Sequence, residues 1–431
     1  MKKNYLILFI VILSGLASFF ACNDDTSESA GPAYDPLKPV KLTTFYPDSG
    51  MFQEKVILNG ENFGIDPGII KVYFNSKLAP VIGSTGTRMY VQAPRLPGDT
   101  CIISVVVGTD SVVYTHQFRY KSSVTVTTIA GNGRDGYIDG NLSQTELRPR
   151  FLTVDKDGNI FVSSVATDRN YICRINEESN EMITLARNFI GGVLATNPLT
   201  GVISGTTESI KGAFITLDPK NFWAPKIYTA RWTNPDEVPP NNYNPANIVS
   251  PFDGMIYTHF AFTGIMRINP NTWEAERILE VPGNVNGMVF RPNEPDMLYM
   301  AFRGTSAYLP NTLVRLNVNN PDSTFERLNL ITAAGHRDGT IEQAQFNDVR
   351  MMACDYEGNI YMADNNNHCI RRLTTDNMVE TVLGIPGIPG WKDGGKSEAL
   401  FRNPSGIGVS ADGTVYVADE LNFRVRKLSI N

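Results

Sequence analysis

The stretch FRNPSGIGVSADGTVYVADELNFRVRKL, residues 401–428, decides the fold. It reads as a short apolar strand, an Asp412-Gly413 turn, a second strand ending at Ala418-Asp419, and a third strand around Val425. A close copy, FNDVRMMACDYEGNIYMADNNNHCIRRL, fills residues 346–373, about 55 residues earlier. A more worn copy, LRPRFLTVDKDGNIFVSS, fills residues 147–164, where Ser164 replaces the trailing Asp. Repeats that each carry several short strands mean a radial or stacked β array.

Working outward, three degenerate copies fall between these. They cover residues 191–232, 243–279 and 284–328, centred on Asn197-Pro198-Leu199-Thr200-Gly201, Ser250-Pro251-Phe252-Asp253-Gly254 and Pro292-Asn293-Glu294-Pro295-Asp296. This makes six repeats over residues 122–431, about 51 residues each. The two clear copies resemble NHL repeats, which implies a six-bladed β-propeller. The last copy stops after its third strand. An open ring would leave hazardous edges, so residues 124–130, VTVTTIA, are predicted to supply the outer strand of the last blade.

Residues 38–121 carry short strands and turns with the spacing of a β-sandwich. The segments Tyr46-Pro47-Asp48-Ser49-Gly50, Gly60-Glu61-Asn62-Phe63-Gly64 and Val91-Gln92-Ala93-Pro94 resemble the IPT/TIG immunoglobulin-like family. The two glycines of the second segment are expected to allow positive φ where the strand reverses. The fold class is therefore all-β, an Ig-like sandwich followed by a propeller.

The first 22 residues read as a targeting segment. Lys2 and Lys3 precede an apolar run that is short for a spanning helix and closes at Ala21-Cys22. The segment resembles a bacterial lipoprotein signal with Cys22 as the lipidated residue. The acidic residues after it, Asp24, Asp25 and Glu28, resemble the export tag of Bacteroidetes surface lipoproteins. This implies an outer-membrane lipoprotein facing the exterior. Residues 23–37 read as a flexible tether.

The formal net charge of −6 speaks against a nucleic-acid groove. Cys101, Cys173, Cys354 and Cys369 show no metal-type spacing; Cys354 and Cys369 fall on the first and third strands of one repeat, too far apart for a disulfide. Setting aside His116 and the repeat residue His368, only His259 and His336 remain, too few for a three-histidine zinc site. No cofactor is implied.

Three sets of residues are candidates for ligand binding. Tyr137, His336 and Trp391 precede Asp139-Gly140, Asp338-Gly339 and Asp393-Gly394 at one repeat position, and are expected to share a rim at the channel mouth. Aromatic platforms there suit sugar rings, although this position also packs its own loop. Arg150, Arg350 and Ser405 open innermost strands, with Ala246 and Asn286 as equivalents. The two guanidiniums favour a carboxylate or uronate, although ion pairing at the surface would serve them equally. The insert at residues 223–247 offers Trp223, Trp232 and Tyr243 as a secondary aromatic surface, or as packing between worn blades.

These readings imply a cell-surface lipoprotein that binds an extracellular polysaccharide or protein partner without catalysis, in a nutrient-uptake or transporter complex. A propeller lyase or hydrolase acting at the channel mouth is the alternative.

Overall fold

The computed structural model describes residues 31–95, 100–121, 124–167, 169–189, 191–207, 212–239, 246–261 and 263–430. The targeting segment, Cys22, Tyr243 and residues 23–30 lie outside them. The chain divides into two compact units, residues 1–121 and 122–431.

The first unit is a sandwich of two sheets. One orders Lys41–Tyr46, Lys55–Glu61, Arg88–Gln92 and Val81–Ser84; the other orders Ser49–Gly50, Asp110–Tyr120, Thr100–Val107, Ile70–Phe74 and Lys77–Ala79. Alternating residues Val56, Leu58, Val72, Phe74, Val105 and Phe118 fill the space between them. Each fully buried side chain of this kind contributes about 1.5–3 kcal/mol. The turn at residues 60–64 differs from expectation. Positive φ falls on Asn62 and Gly64. Gly60 is needed for space, because a Cβ there would lie 2.1 Å from the Lys41 carbonyl oxygen. Asn62 accepts from the Asp35 amide and donates to the Asp35 and Lys38 carbonyls, at 2.9, 2.9 and 2.6 Å. Tyr34 packs against the core. The last residues of the predicted tether are therefore seated on the sandwich.

The described residues of the second unit form six sheets, antiparallel but for one short strand in the third. Their innermost strands are Pro149–Val154, Gly191–Thr196, Ala246–Val249, Val285–Arg291, Val349–Cys354 and Pro404–Val409. These contact one another in cyclic order, the sixth closing on the first. This arrangement is a β-propeller. Shared hydrophobic clusters join neighbouring sheets: Leu152 and Val162 meet Tyr416 and Val425, Phe161 meets Leu194, Phe214 meets Ile256, Tyr257 meets Phe290, and Tyr299 meets Met362.

Closure uses both ends of the unit, as the edge argument predicts. Val124–Ala130 pairs antiparallel with Arg424–Ile430, with Val126 opposite Leu428 and Thr128 opposite Arg426. Two boundaries shift. Arg231–Trp232 does not extend the second sheet but pairs in parallel with Glu274–Leu279 of the third. The first, third, fifth and sixth sheets also gain a short fifth strand; in the first, fifth and sixth it is Gly140–Asn141, Gly339–Thr340 and Gly394–Gly395.

Candidate functional site

The innermost strands begin with a register irregularity in five of the six sheets, at Pro149/Phe151, Gly191/Leu194, Val285/Gly287, Val349/Met352 and Pro404/Gly406. The bulged position re-aims its side chain away from the ladder. Arg150, Asn286, Arg350 and Ser405 all occupy it, at the end of the channel where these strands start.

Arg350 is the centre of a charged cluster there. Its Nε donates to Asp348 Oδ2 at 3.1 Å. Arg303, at the end of the second strand of the preceding sheet, grips the same carboxylate with Nε and Nη2 at 3.0 and 2.9 Å. The Gly304 amide adds a further bond at 3.0 Å. These four donors fill the acceptor capacity of Asp348. Burial alone would raise the Asp348 carboxyl, but Arg303 and Arg350 outweigh it and hold the group below its usual range. Burial, with Arg303 beside it, lowers Arg350. Arg150 and Glu420 also act electrostatically on Arg350, so side chains from the first, fourth, fifth and sixth sheets converge. Glu420 accepts from Arg148 at 3.1 Å, and Arg148 lies 4.0 Å from Asp135. Among the described residues, neither Nη of Arg350 has a partner, and its side chain is 19% exposed. Asn286 and Ser405 are fully buried, with Asn286 Nδ2 and Oδ1 and Ser405 Oγ unpartnered.

Sequence reasoning identifies Arg150 and Arg350 but misses Arg303, Asp348 and Glu420. The signal for Asp348 was its alignment with Asn403. Both stand two residues before the bulge in left-handed backbone, with φ of 66° and 51°. Arg303 lies in a worn repeat, where alignment fails.

Tyr137, His336 and Trp391 do occupy equivalent positions, but not on the channel rim. The Asp-Gly pairs that follow them clamp the outer strands of their own sheets. Asp139 accepts from the Thr184 amide and hydroxyl, Asp338 from those of Thr381, and Asp393 from those of Thr128, all at 2.9–3.2 Å. Each ring residue is held at that periphery. Tyr137 packs edge-on against Tyr171, and the Arg169 and Arg187 guanidiniums lie 5.1 and 5.4 Å from its ring centroid. His336 Nε2 lies 2.7 Å from Thr381 Oγ1, and burial with nearby Arg371 lowers its pKa. Trp391 Nε1 donates to Thr128 Oγ1 at 3.2 Å while Arg424 covers its ring at 3.8 Å.

The insert gives no continuous aromatic shelf. Trp223 packs against Phe161 beneath Arg174, and Trp232 meets Phe260 edge-on. Both are half-buried. His259 is fully buried, its Nε2 3.2 Å from the Val281 carbonyl oxygen. Burial pushes its pKa down to about 4. Cys354 is only half-buried, and all four described cysteines are free.

Among the described residues, the carboxylates with raised pKa lie inside the sheets. Asp364 and Asp419 are each pushed up to about 6 by burial, against the opposing pull of Arg371 and Arg426. At the far end of the channel, all six innermost strands line a cavity of about 460 Å³, with Leu152, Leu194, Met288, Met351 and Ile407 in its wall.

Residues 39–120 match the IPT/TIG domain family, and residues 401–428 match the NHL repeat family. A Bacteroides thetaiotaomicron protein of unknown function has a similar structure, with a TM-score of 0.76 at 24% identity, covering 93% of this chain and 100% of that one. An auxiliary nutrient binding protein from the same species aligns with a TM-score of 0.59 at 20% identity, covering 92% of this chain and 99% of the other. The chloroplastic protein Suppressor of Quenching 1 of Arabidopsis thaliana is 29% identical over 97 residues, which span 22% of this chain and 9% of that protein. The chain contains an IPT/TIG domain and an NHL repeat, on an all-β fold that it shares with Bacteroides proteins.

Proposed function

We propose that this chain is an outer-membrane lipoprotein, anchored through Cys22 and facing the exterior, whose six-bladed NHL-type propeller binds an extracellular polysaccharide without cleaving it. It serves a nutrient-uptake complex. The observation that carries the non-catalytic reading is where the titratable groups stand. General acid–base work needs a carboxyl or imidazole tuned towards neutrality at the reacting face. Among the described residues, the carboxyls near neutrality, Asp364 and Asp419, are buried and serve ion pairs within their sheets. The channel mouth instead gathers guanidiniums and a carboxylate held low, a set suited to recognition. The likeness to an auxiliary nutrient binding protein supports the same reading by fold.

The test is retention of the full mature chain on gels containing neutral and acidic polysaccharides, with reducing ends measured in the same samples. Retention without new reducing ends is expected; their steady release would establish the hydrolase or lyase instead. Cys22→Ser is expected to move the protein from the membrane to the soluble fraction.

A further inference from the structure

We infer that the channel mouth is a carboxylate receptor, with the outward N–H groups of Arg350 as its recognition element, and that the polysaccharide it takes is a polyuronate. This rests on the glycan-binding reading above and narrows it to acidic chains.

One edge of Arg350 is already committed within the protein. Its Nε is fixed on Asp348 at 3.1 Å, which sets the plane of the guanidinium. Asp348 is 2% exposed and already takes two bonds from Arg303 and one from Gly304, so it offers nothing to the rest of Arg350. The remaining edge, Nη1 with Nη2, is a rigid fork whose parallel N–H groups match the two oxygens of a carboxylate. A pre-oriented side chain loses little freedom on binding.

Charge points the same way. The open edge of Arg350 is cationic, so an anionic group suits it better than a neutral one. Arg303 and Asp348 act as positioning residues. They hold the Arg350 plane and need not touch the ligand. A sulfate ester presents a tetrahedral set of oxygens rather than a planar pair, and a neutral sugar lacks the charge, so both should bind less well.

The test uses the mature chain and affinity electrophoresis in polygalacturonate, alginate and hyaluronate. Methyl-esterified polygalacturonate, dextran and dextran sulfate run alongside, at roughly 0.15 M salt to screen diffuse attraction. At least one uronate polymer should retain the protein tenfold or more better than the esterified, neutral and sulfated gels. Arg350→Gln should abolish that difference. Arg350→Lys should recover only part of it, because charge without the fork is insufficient, and Trp391→Ala should leave it intact. Thermal unfolding of each variant checks that the fold survives. Retention by neutral or sulfated gels as strong as by uronates, or an Arg350→Gln variant that binds uronates normally, overturns the carboxylate receptor while leaving glycan binding in place. Retention by no gel at all overturns both.

Discussion

Arg371 and Asp364 form an ion pair 2.9 Å long in which neither side chain is exposed. Arg371 also reaches Asp338 and the carbonyls of Gln345 and Arg337, and Asp364 accepts from Asn367 and from the Asn347 amide. The sixth sheet repeats every element with Arg426, Asp419, Asp393, Asn422 and the carbonyls of Leu400 and Lys392. In the first sheet the register puts Ser164 where Asp364 stands and Cys173 where Arg371 stands. Charge is lost from both positions together. Tyr171 then donates to the Glu146 carbonyl, the equivalent of the Gln345 carbonyl that Arg371 serves.

This substitution pattern can be transplanted. Asp364→Ala alone should destabilise the propeller by about 1–3 kcal/mol, because buried Arg371 loses one of its two carboxylates while keeping Asp338. The triple change Asp364→Ser, Cys369→Tyr and Arg371→Cys should cost much less than the sum of the single changes. A double-mutant cycle in urea measures the coupling, and additive losses would show that the first sheet's solution is not portable.

Ring closure predicts that damage to the strand at residues 124–130 is global. Val126 is 1% exposed opposite Leu428. Val126→Asp should cost several kcal/mol by burying an unpaired charge and should lower the melting temperature of the whole second unit. Loss confined to the sixth sheet, seen as hydrogen exchange limited to its strands, would contradict this closure.

The placement of Trp391 at the outer edge has a direct consequence. Trp391→Ala should cost about 0.5–1 kcal/mol through the lost Arg424 stack and leave polysaccharide retention unchanged. A tenfold loss of retention would return Trp391 to the binding face.

His259 gives the propeller an acid-sensitive component. Its folded pKa, about 4, lies below its usual 6.5. Between these values the unfolded chain takes up a proton that the folded chain refuses. The contribution is thus complete above pH 6.5 and falls as pH drops towards 4, by about 1.4 kcal/mol per pH unit. Asp364 and Asp419, with folded values raised to about 6, contribute with the opposite sign over an overlapping range. His259→Phe should therefore flatten the loss of stability on acidification relative to wild type, measured by urea titration from pH 4.5 to 6.5. An unchanged slope would place the His259 titration elsewhere.

The turns at residues 155–159 and 355–359 could be read, even in the worn first copy, because their chemistry is local. Asp155 and Asp355 each accept from amides two and four residues on. The strand at residues 124–130 could be read because a ring must pair its last edge, whereas spacing in the worn repeats assigned Arg231–Trp232 to the wrong sheet. Gly60 was misread because its role depends on Lys41, a distant residue that crowds it.

The amino-acid sequence by itself determined the repeat, the two-part all-β organisation and the strand that joins the ends, since these follow from periodicity, turn chemistry and the need to pair edges. Tertiary structure alone decided which loops reach the channel. A repeat position in the sequence does not by itself show whether it faces the axis or the periphery. Only the packing of successive sheets around a common centre separates Arg350, drawn in beside Arg303 and Asp348, from Trp391, held outside by Thr128 and Arg424.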